Sequence, residues 1–158
     1  MPSTPLDEAI SWRRRLAREG RAVAFTNGCF DLLHPGHASL LRQARLAADA
    51  LVVGLNGDAS VTRLKGEGRP LVPAEERAEL LEAMEAVDRV VVFDEDTPRE
   101  LILVLEPDVL VKGADWAPDR IVGAAEVASW GGRVLRVPLL KGASTSATIA
   151  RIRQDGGP

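Results

Sequence analysis

The chain has 158 residues, 46% of them hydrophobic and 27% charged, with a formal net charge of −3. That length suits one domain able to bury most of its apolar surface unaided, and no apolar run reaches the length of a bilayer span. The negative balance leaves no general attraction for nucleic acid or an anionic membrane, so any polyanionic ligand must be held by a local cluster.

The first residues lack a basic stretch followed by an apolar one, so no secretory signal is expected and the cytoplasm is the expected compartment. A helix is predicted over 6–19; its Arg13, Arg14, Arg15 and Arg18, with Arg21 just beyond, read as a solvated face. Gly20 ends it, and the apolar run 22–25 reads as a first buried strand. There follows Thr26-Asn27-Gly28-Cys29-Phe30-Asp31-Leu32-Leu33-His34-Pro35-Gly36-His37, which holds both histidines of the chain. Next come Leu40, Leu41, Ala44, Ala47 and Ala48 at helical spacing, predicting a helix over 36–48. His34 and His37, three residues apart, therefore share a face where a strand gives way to a helix N-terminus, the usual seat of a phosphate in an α/β sheet. Cys29 is the single cysteine, so no internal disulfide is available. A small buried hydrophobe is its expected role, ahead of a nucleophile.

Further strands are predicted over 51–55, 89–93, 109–111 and 134–137. Helices are predicted over 59–64, 74–86, 98–105, 120–130 and 146–153. Pro73 and Pro98 fit helix starts, and Gly131-Gly132 fits a helix end. Residues 1–5 and 154–158 are expected to fray. Strands alternating with helices predict a single α/β domain over 1–158, a Rossmann-like, doubly wound, five-stranded parallel sheet. Ligands in such sheets bind at the carboxyl ends of the strands. Four segments should converge there: the histidine loop, Asn56-Gly57-Asp58 with Lys65, Lys112 to Trp116, and Ser144-Thr145-Ser146. The chain has three lysines against seventeen arginines, and each lysine precedes a glycine: Lys65, Lys112 and Lys141. Such sites suit a compact ammonium beside a backbone that a ligand can approach closely.

The run Gly28-Cys29-Phe30-Asp31 followed by His34-Pro35-Gly36-His37 resembles the Gly-x-Phe-Asp and His-x-Gly-His signature of the cytidylyltransferase-like nucleotidyltransferase superfamily. The resemblance extends through Asn56-Gly57-Asp58, Arg63-Leu64-Lys65-Gly66, Arg69-Pro70, Asp94-Glu95-Asp96-Thr97-Pro98, Lys112-Gly113-Ala114-Asp115-Trp116 and Gly142-Ala143-Ser144-Thr145-Ser146. Together these are similar to the adenylyltransferase domain of ADP-heptose synthesis, in its stand-alone form rather than fused to a kinase half. Ala114, Trp116, Ala143 and Ser146 stand where that family commonly has Gly, Tyr, Cys and Thr. These are mild departures that leave the reaction type untouched.

The resemblance implies attack of a sugar 1-phosphate oxygen on the α-phosphorus of ATP, with release of pyrophosphate. It implies His34, His37 and Lys65 as catalytic residues. Nucleotide contacts would come from Thr26, Asn27, Gly28, Cys29, Phe30, Gly36, Lys112, Gly113, Asp115, Ser144, Thr145 and Ser146. The sugar phosphate would be met by Asp31, Asn56, Asp58, Arg63, Arg69, Arg77 and Trp116. Asp31 has the alternative of orienting a histidine or the loop, and Arg77 that of a helix-surface residue. Ser144, Thr145 and Ser146 can equally be helix caps. Mg²⁺ is expected on the ATP phosphates, with no metal bound by the protein alone. A zinc site would leave His34 and His37 short of ligands beyond Cys29. The competing functions are a cytidylyltransferase acting on glycerol 3-phosphate or another polyol phosphate, and a non-catalytic nucleotide sensor on the same fold. A homodimer is the expected assembly.

Overall fold

The structure is a computed structural model that describes residues 3–156. Its strands are β1 (Val23–Gly28), β2 (Ala50–Asn56), β3 (Arg89–Phe93), β4 (Val109–Gly113) and β5 (Arg133–Val137). All pair in parallel, in the order β3-β2-β1-β4-β5. β2 is buried along its whole length, because strands of a parallel sheet are covered on both faces and so read as continuous apolar runs.

Helices α1 (Leu6–Arg18), α5 (Arg99–Leu105) and α6 (Ala124–Ser129) cover one face. Trp12 and Leu16 of α1 pack there with Phe25, Val52, Val91, Ile102 and Val127. Helices α2 (Pro35–Leu46) and α4 (Ala74–Glu82) cover the other, where Leu41, Ala44, Ala78 and Leu81 meet Leu51, Val53 and Val90. Two shorter pieces, α3 (Asp58–Lys65) and a 3₁₀ turn (Pro118–Arg120), follow β2 and β4, and α7 (Thr145–Asp155) closes the order. The doubly wound parallel sheet is as the sequence predicts.

Several boundaries differ from expectation. β1 runs to Gly28, three residues past the predicted end, because Thr26, Asn27 and Gly28 keep pairing with Val53, Gly54 and Leu55 despite their polar composition. On its other side, β1 pairs with β4 only at Ala24–Val109 and Phe25–Leu110. Beyond that point side chains span the gap. Thr26 Oγ1 donates to the Val111 carbonyl at 2.9 Å, and Lys112 Nζ donates to Asn27 Oδ1 at 2.5 Å. This divergence is the switch point in strand order, where a crevice opens. The predicted helix over 120–130 is a 3₁₀ turn and the shorter α6, divided where Gly123 adopts φ +88°. The predicted helix over 74–86 ends at Glu82. Near the ends of the described residues, Thr4 N–H donates to the Val90 carbonyl at 2.7 Å, and α7 continues through Asp155. Residues 1, 2, 157 and 158 lie outside the described residues.

Phe25 sits at the centre of this packing with no exposed surface. Its ring lies against Gly54, where an added Cβ would approach Phe25 Cζ to 2.8 Å. Phe25→Ala is therefore expected to cost about 3–5 kcal/mol in denaturant unfolding. A loss below about 1 kcal/mol would contradict this placement.

Candidate active site

The site is built on the start of α2. His34 is its N-cap, with extended backbone, and His34 Nδ1 accepts the Gly36 N–H at 3.1 Å. His37, at the third helical position, accepts the His34 N–H on its own Nδ1 at 3.3 Å. Two free helix-end donors are thus satisfied reciprocally, with imidazoles in the roles that Ser and Glu usually fill. Pro35 takes the first helical position, where no N–H is needed. At Gly36 a Cβ would fall 2.8 Å from His34 Cε1, so a side chain there would disturb the cap.

The cap fixes chemistry as well as shape. A ring whose Nδ1 accepts a hydrogen bond carries its neutral-state proton on Nε2. The rings stack at 3.7 Å between centroids, 22° apart in plane. Burial, and then the neighbouring His34, push His37 down to about 4 from 6.5; burial also lowers His34. Both are therefore neutral Nε2–H donors near pH 7, suited to stabilising developing negative charge.

A cleft of about 620 Å³ opens beside the pair, at the divergence of β1 and β4. Asn27, Gly28, Cys29, Phe30 and Asp31 form its floor. Asn56, Lys65 and Arg69 stand on one side, and Lys112, Asp115 and Trp116 on the other. Ser144, Thr145 and Ser146 close it at the start of α7. Lys112 is almost fully buried; its Nζ bonds Asn27 Oδ1 and lies 5.4 Å from the Trp116 ring centroid. Burial pushes its pKa down to about 8, against the pull of Asp115. A buried ammonium keeps further N–H donors for an anionic ligand. Cys29 is pushed up by burial, which outweighs Lys65, Arg77 and Arg69, so it stands as a thiol.

Other expected site residues are occupied elsewhere. Arg77, with only 1% exposure, donates to the carbonyls of Val72, Cys29 and Asn56 and to Asp58 Oδ1, at 2.6–2.7 Å. It is neither a surface residue nor a substrate contact, but a brace joining the ends of β1 and β2 to α3 and α4. Asp58 Oδ1 also accepts the Ala74 N–H at 2.8 Å, and Asp58 does not line the cleft. Arg63 turns to Asp96 at 2.9 Å and to the Asp94 carbonyl. Asp31 does line the cleft, but its carboxylate accepts from Arg69 Nε and from the Leu71 and Val72 N–H groups, at 2.8, 2.8 and 3.0 Å. Burial raises its pKa, yet these bonds outweigh it and hold the carboxyl below its usual value. Thr26, Gly36 and Gly113 are not among the lining residues. Leu64, Asp96, Thr97, Pro98, Val122, Leu139 and Ala143 line the cleft without having been expected to. The run from Asp94 to Pro98 stands out in the sequence, but nothing in it indicates which residue reaches the rim. No group of three or more metal-ligating side chains occurs among the described residues.

Because the folded value of His37 lies below its unfolded one, the unfolded chain takes up the proton first as the pH falls. The stability of the neutral pair is complete above about 6.5 and is lost as the pH drops toward about 4. Melting temperature should therefore fall over that window in the wild type and less steeply in His37→Gln. Parallel profiles for the two proteins would contradict the assignment.

Residues 25–152 match the cytidylyltransferase-like family. The chain is 56% identical over 147 residues to the "Bifunctional protein HldE" of Acidiphilium cryptum, covering 93% of this chain and 29% of that protein. It is 54% identical over 153 residues to the HldE of Paramagnetospirillum magneticum, covering 96% and 30%. To that of Rhodospirillum rubrum it is 59% identical over 141 residues, covering 89% and 28%. The chain thus spans under a third of the length of these relatives. Among solved structures, a lipopolysaccharide core biosynthesis protein from Thermoplasma volcanium superposes with a TM-score of 0.63 at 27% identity, over 77% of this chain and 98% of the other. With its histidine-capped helix beside the β1/β4 crevice and a family match over most of its length, the chain belongs to the cytidylyltransferase-like family.

Proposed function

We propose that this chain is an adenylyltransferase. It moves the adenylyl group of ATP onto D-glycero-D-manno-heptose 1-phosphate, giving ADP-heptose and pyrophosphate for surface-glycan precursors. The observation that carries the reading is the pair of neutral imidazoles whose Nδ1 atoms are tied into the α2 cap, leaving both Nε2–H groups for a ligand in the cleft. The identity to HldE over most of the chain supports the heptose branch.

The nucleophile is a phosphate oxygen, already anionic near neutral pH because a second phosphate pKa is about 6, so no general base is required. An oxygen–phosphorus bond forms at the α-phosphate as the bond to the β-bridging oxygen breaks, and the electron pair leaves with pyrophosphate. The work of the protein is alignment and charge stabilisation. His34 and His37 donate to the α-phosphate as its charge grows. Lys65 and Arg69 hold the sugar phosphate. The α7 N-terminus, with Ser146 and the Ser144 cap, holds the β- and γ-phosphates. Lys112 neutralises charge from the opposite wall, while Asn56, Asp115 and Trp116 meet the sugars. Besides Asp31, which is bonded to Arg69, the cleft carries the acids Asp96 and Asp115, and no carboxylate cluster occurs among the described residues. That donor set fits a Mg²⁺ held mainly by phosphates and water, which would supply further charge neutralisation. We assign the chain to the cytoplasm, where ATP is available, as a homodimer with no nucleic-acid or membrane partner. No helix among the described residues is long and apolar enough to cross a membrane.

Pyrophosphate release should be fastest with ATP and the heptose phosphate in a panel of nucleoside triphosphates and phosphorylated acceptors. Faster turnover of CTP with glycerol 3-phosphate would replace this reading with that of a polyol-phosphate cytidylyltransferase, and nucleotide binding without turnover would indicate a sensor. His37→Ala should lower kcat by about 10²–10³ with little change in ATP affinity; an unchanged kcat would remove His37 from the mechanism. Lys65→Arg should also be damaging, because a planar fork does not replace a compact ammonium in a tight phosphate site. Wild-type turnover in that variant would show that charge alone suffices.

A further inference from the structure

Two walls of the cleft, the stretch around Arg69 and the start of α7, are far apart in sequence and meet at one residue. We propose that Asp31 is a positioning residue that ties both walls to the histidine loop, its carboxylate aiming Arg69 and its own carbonyl anchoring α7 through Thr145. The inference rests on the adenylyltransferase reading and extends it to how the acceptor and nucleotide halves are held in register.

Residues 66–73 link α3 to α4, with Gly66 and Gly68 at φ +94° and +83° and open space around both. Such a segment has little of its own to hold it. Its fixed points are the Thr62 hydroxyl on the Arg69 carbonyl, Arg77 Nε on the Val72 carbonyl, and the three bonds that converge on Asp31. The Asp31 side chain is 1% exposed and that of Arg69 18%. With Nε taken by Asp31, the terminal amines of Arg69 are the part left for an anion beside Lys65. A guanidinium gripped at Nε presents its outer fork in a fixed direction, which suits bidentate phosphate recognition.

On the backbone side, Thr145 Oγ1 donates to the Asp31 carbonyl at 2.7 Å. α7 has no buried residue, and a helix of this length is marginal without packing. The Thr145 contact is thus a main tether of the helix whose first turn faces the cleft. Flanking Asp31, Phe30 and Leu32 both adopt positive φ, +46° and +58°, unusual for side-chain-bearing residues. These two bends turn the Asp31 carboxylate to one wall and its carbonyl to the other.

The test is a double-mutant cycle on purified full-length protein, with KM measured separately for the heptose phosphate and for ATP. Asp31→Asn should raise KM for the sugar phosphate about tenfold or more, since one partner of a buried, hydrogen-bonded pair is lost. Arg69→Ala should do the same, and the double variant should be no worse than the poorer single, because the two act as one unit. Thr145→Val should raise KM for ATP and leave that for the sugar phosphate unchanged. Multiplying effects in the cycle, or an Asp31→Asn loss confined to kcat, would overturn the proposal. Should Asp31→Asn fold poorly, Arg69→Lys keeps the charge while giving up the Nε bond, and is expected to show the same rise in KM; a wild-type KM there would overturn it equally. Repeating the cycle on inorganic phosphate affinity by calorimetry separates the two readings. If the wild type transfers no nucleotide, the adenylyltransferase reading fails, yet non-additive losses of phosphate affinity would still support the Asp31–Arg69 arm and additive ones would reject it.

Discussion

The reciprocal cap at the start of α2 is the constraint on which the site depends. It closes the helix end with the same two side chains to which we assign the chemistry, so fold and proposed reactivity cannot be adjusted separately. A histidine free to rotate can present either nitrogen and titrate near neutrality. Here each Nδ1 is committed to a backbone N–H, each ring is at least partly buried, and the stacked pair disfavours a second positive charge. The outcome is two rings whose neutral form carries its proton on Nε2 and whose protonation burial disfavours. Donors already oriented in the ground state need no rearrangement as charge develops on a phosphorus centre.

Around that cap the sheet supplies the opening and buried polar contacts hold its edges. β1 and β4 part after two paired positions, and the gap is spanned by Thr26 and by the Lys112–Asn27 bond rather than by backbone. Arg77 performs the same service on the other flank, drawing together Cys29, Asn56, Val72 and Asp58. Arg77 is tolerated in the interior because each of its nitrogens finds an acceptor, while Lys112 keeps N–H donors beyond its bond to Asn27. They leave Lys65, Arg69 and Lys112 as the cations that face the cleft. A protein of net charge −3 thereby places three cations on one cleft, in keeping with the polyanionic substrates proposed for it.

Periodicity made the sheet, its doubly wound cover and the strand-to-helix setting of the histidines legible in the sequence, because apolar runs such as 51–55 and the spacing of Leu41 and Ala44 report burial directly. It did not make legible where polar residues still belong to a strand. Thr26 and Asn27 look like loop, yet their backbone pairs with β2 while their side chains replace missing pairing with β4. Nor does a sequence distinguish an arginine that binds substrate from one that binds carbonyls. Arg69 and Arg77 are implied alike as sugar-phosphate contacts, and only the fold turns one to the cleft and the other into the interior. Asp31 is similar: its type suggests a ligand contact, while its partners, about forty residues away, are set by tertiary packing.

The proposed role of the histidine pair depends on the protonation state of the two rings, and nitrogen-detected NMR of the side chains reads it directly. At pH 7, His34 and His37 should both appear as neutral Nε2–H tautomers with unprotonated Nδ1. On lowering the pH, His37 should resist protonation until about 4. Rings protonated on Nδ1, or a His37 that titrates at its ordinary value near 6.5, would contradict the cap and with it the proposed role of the pair.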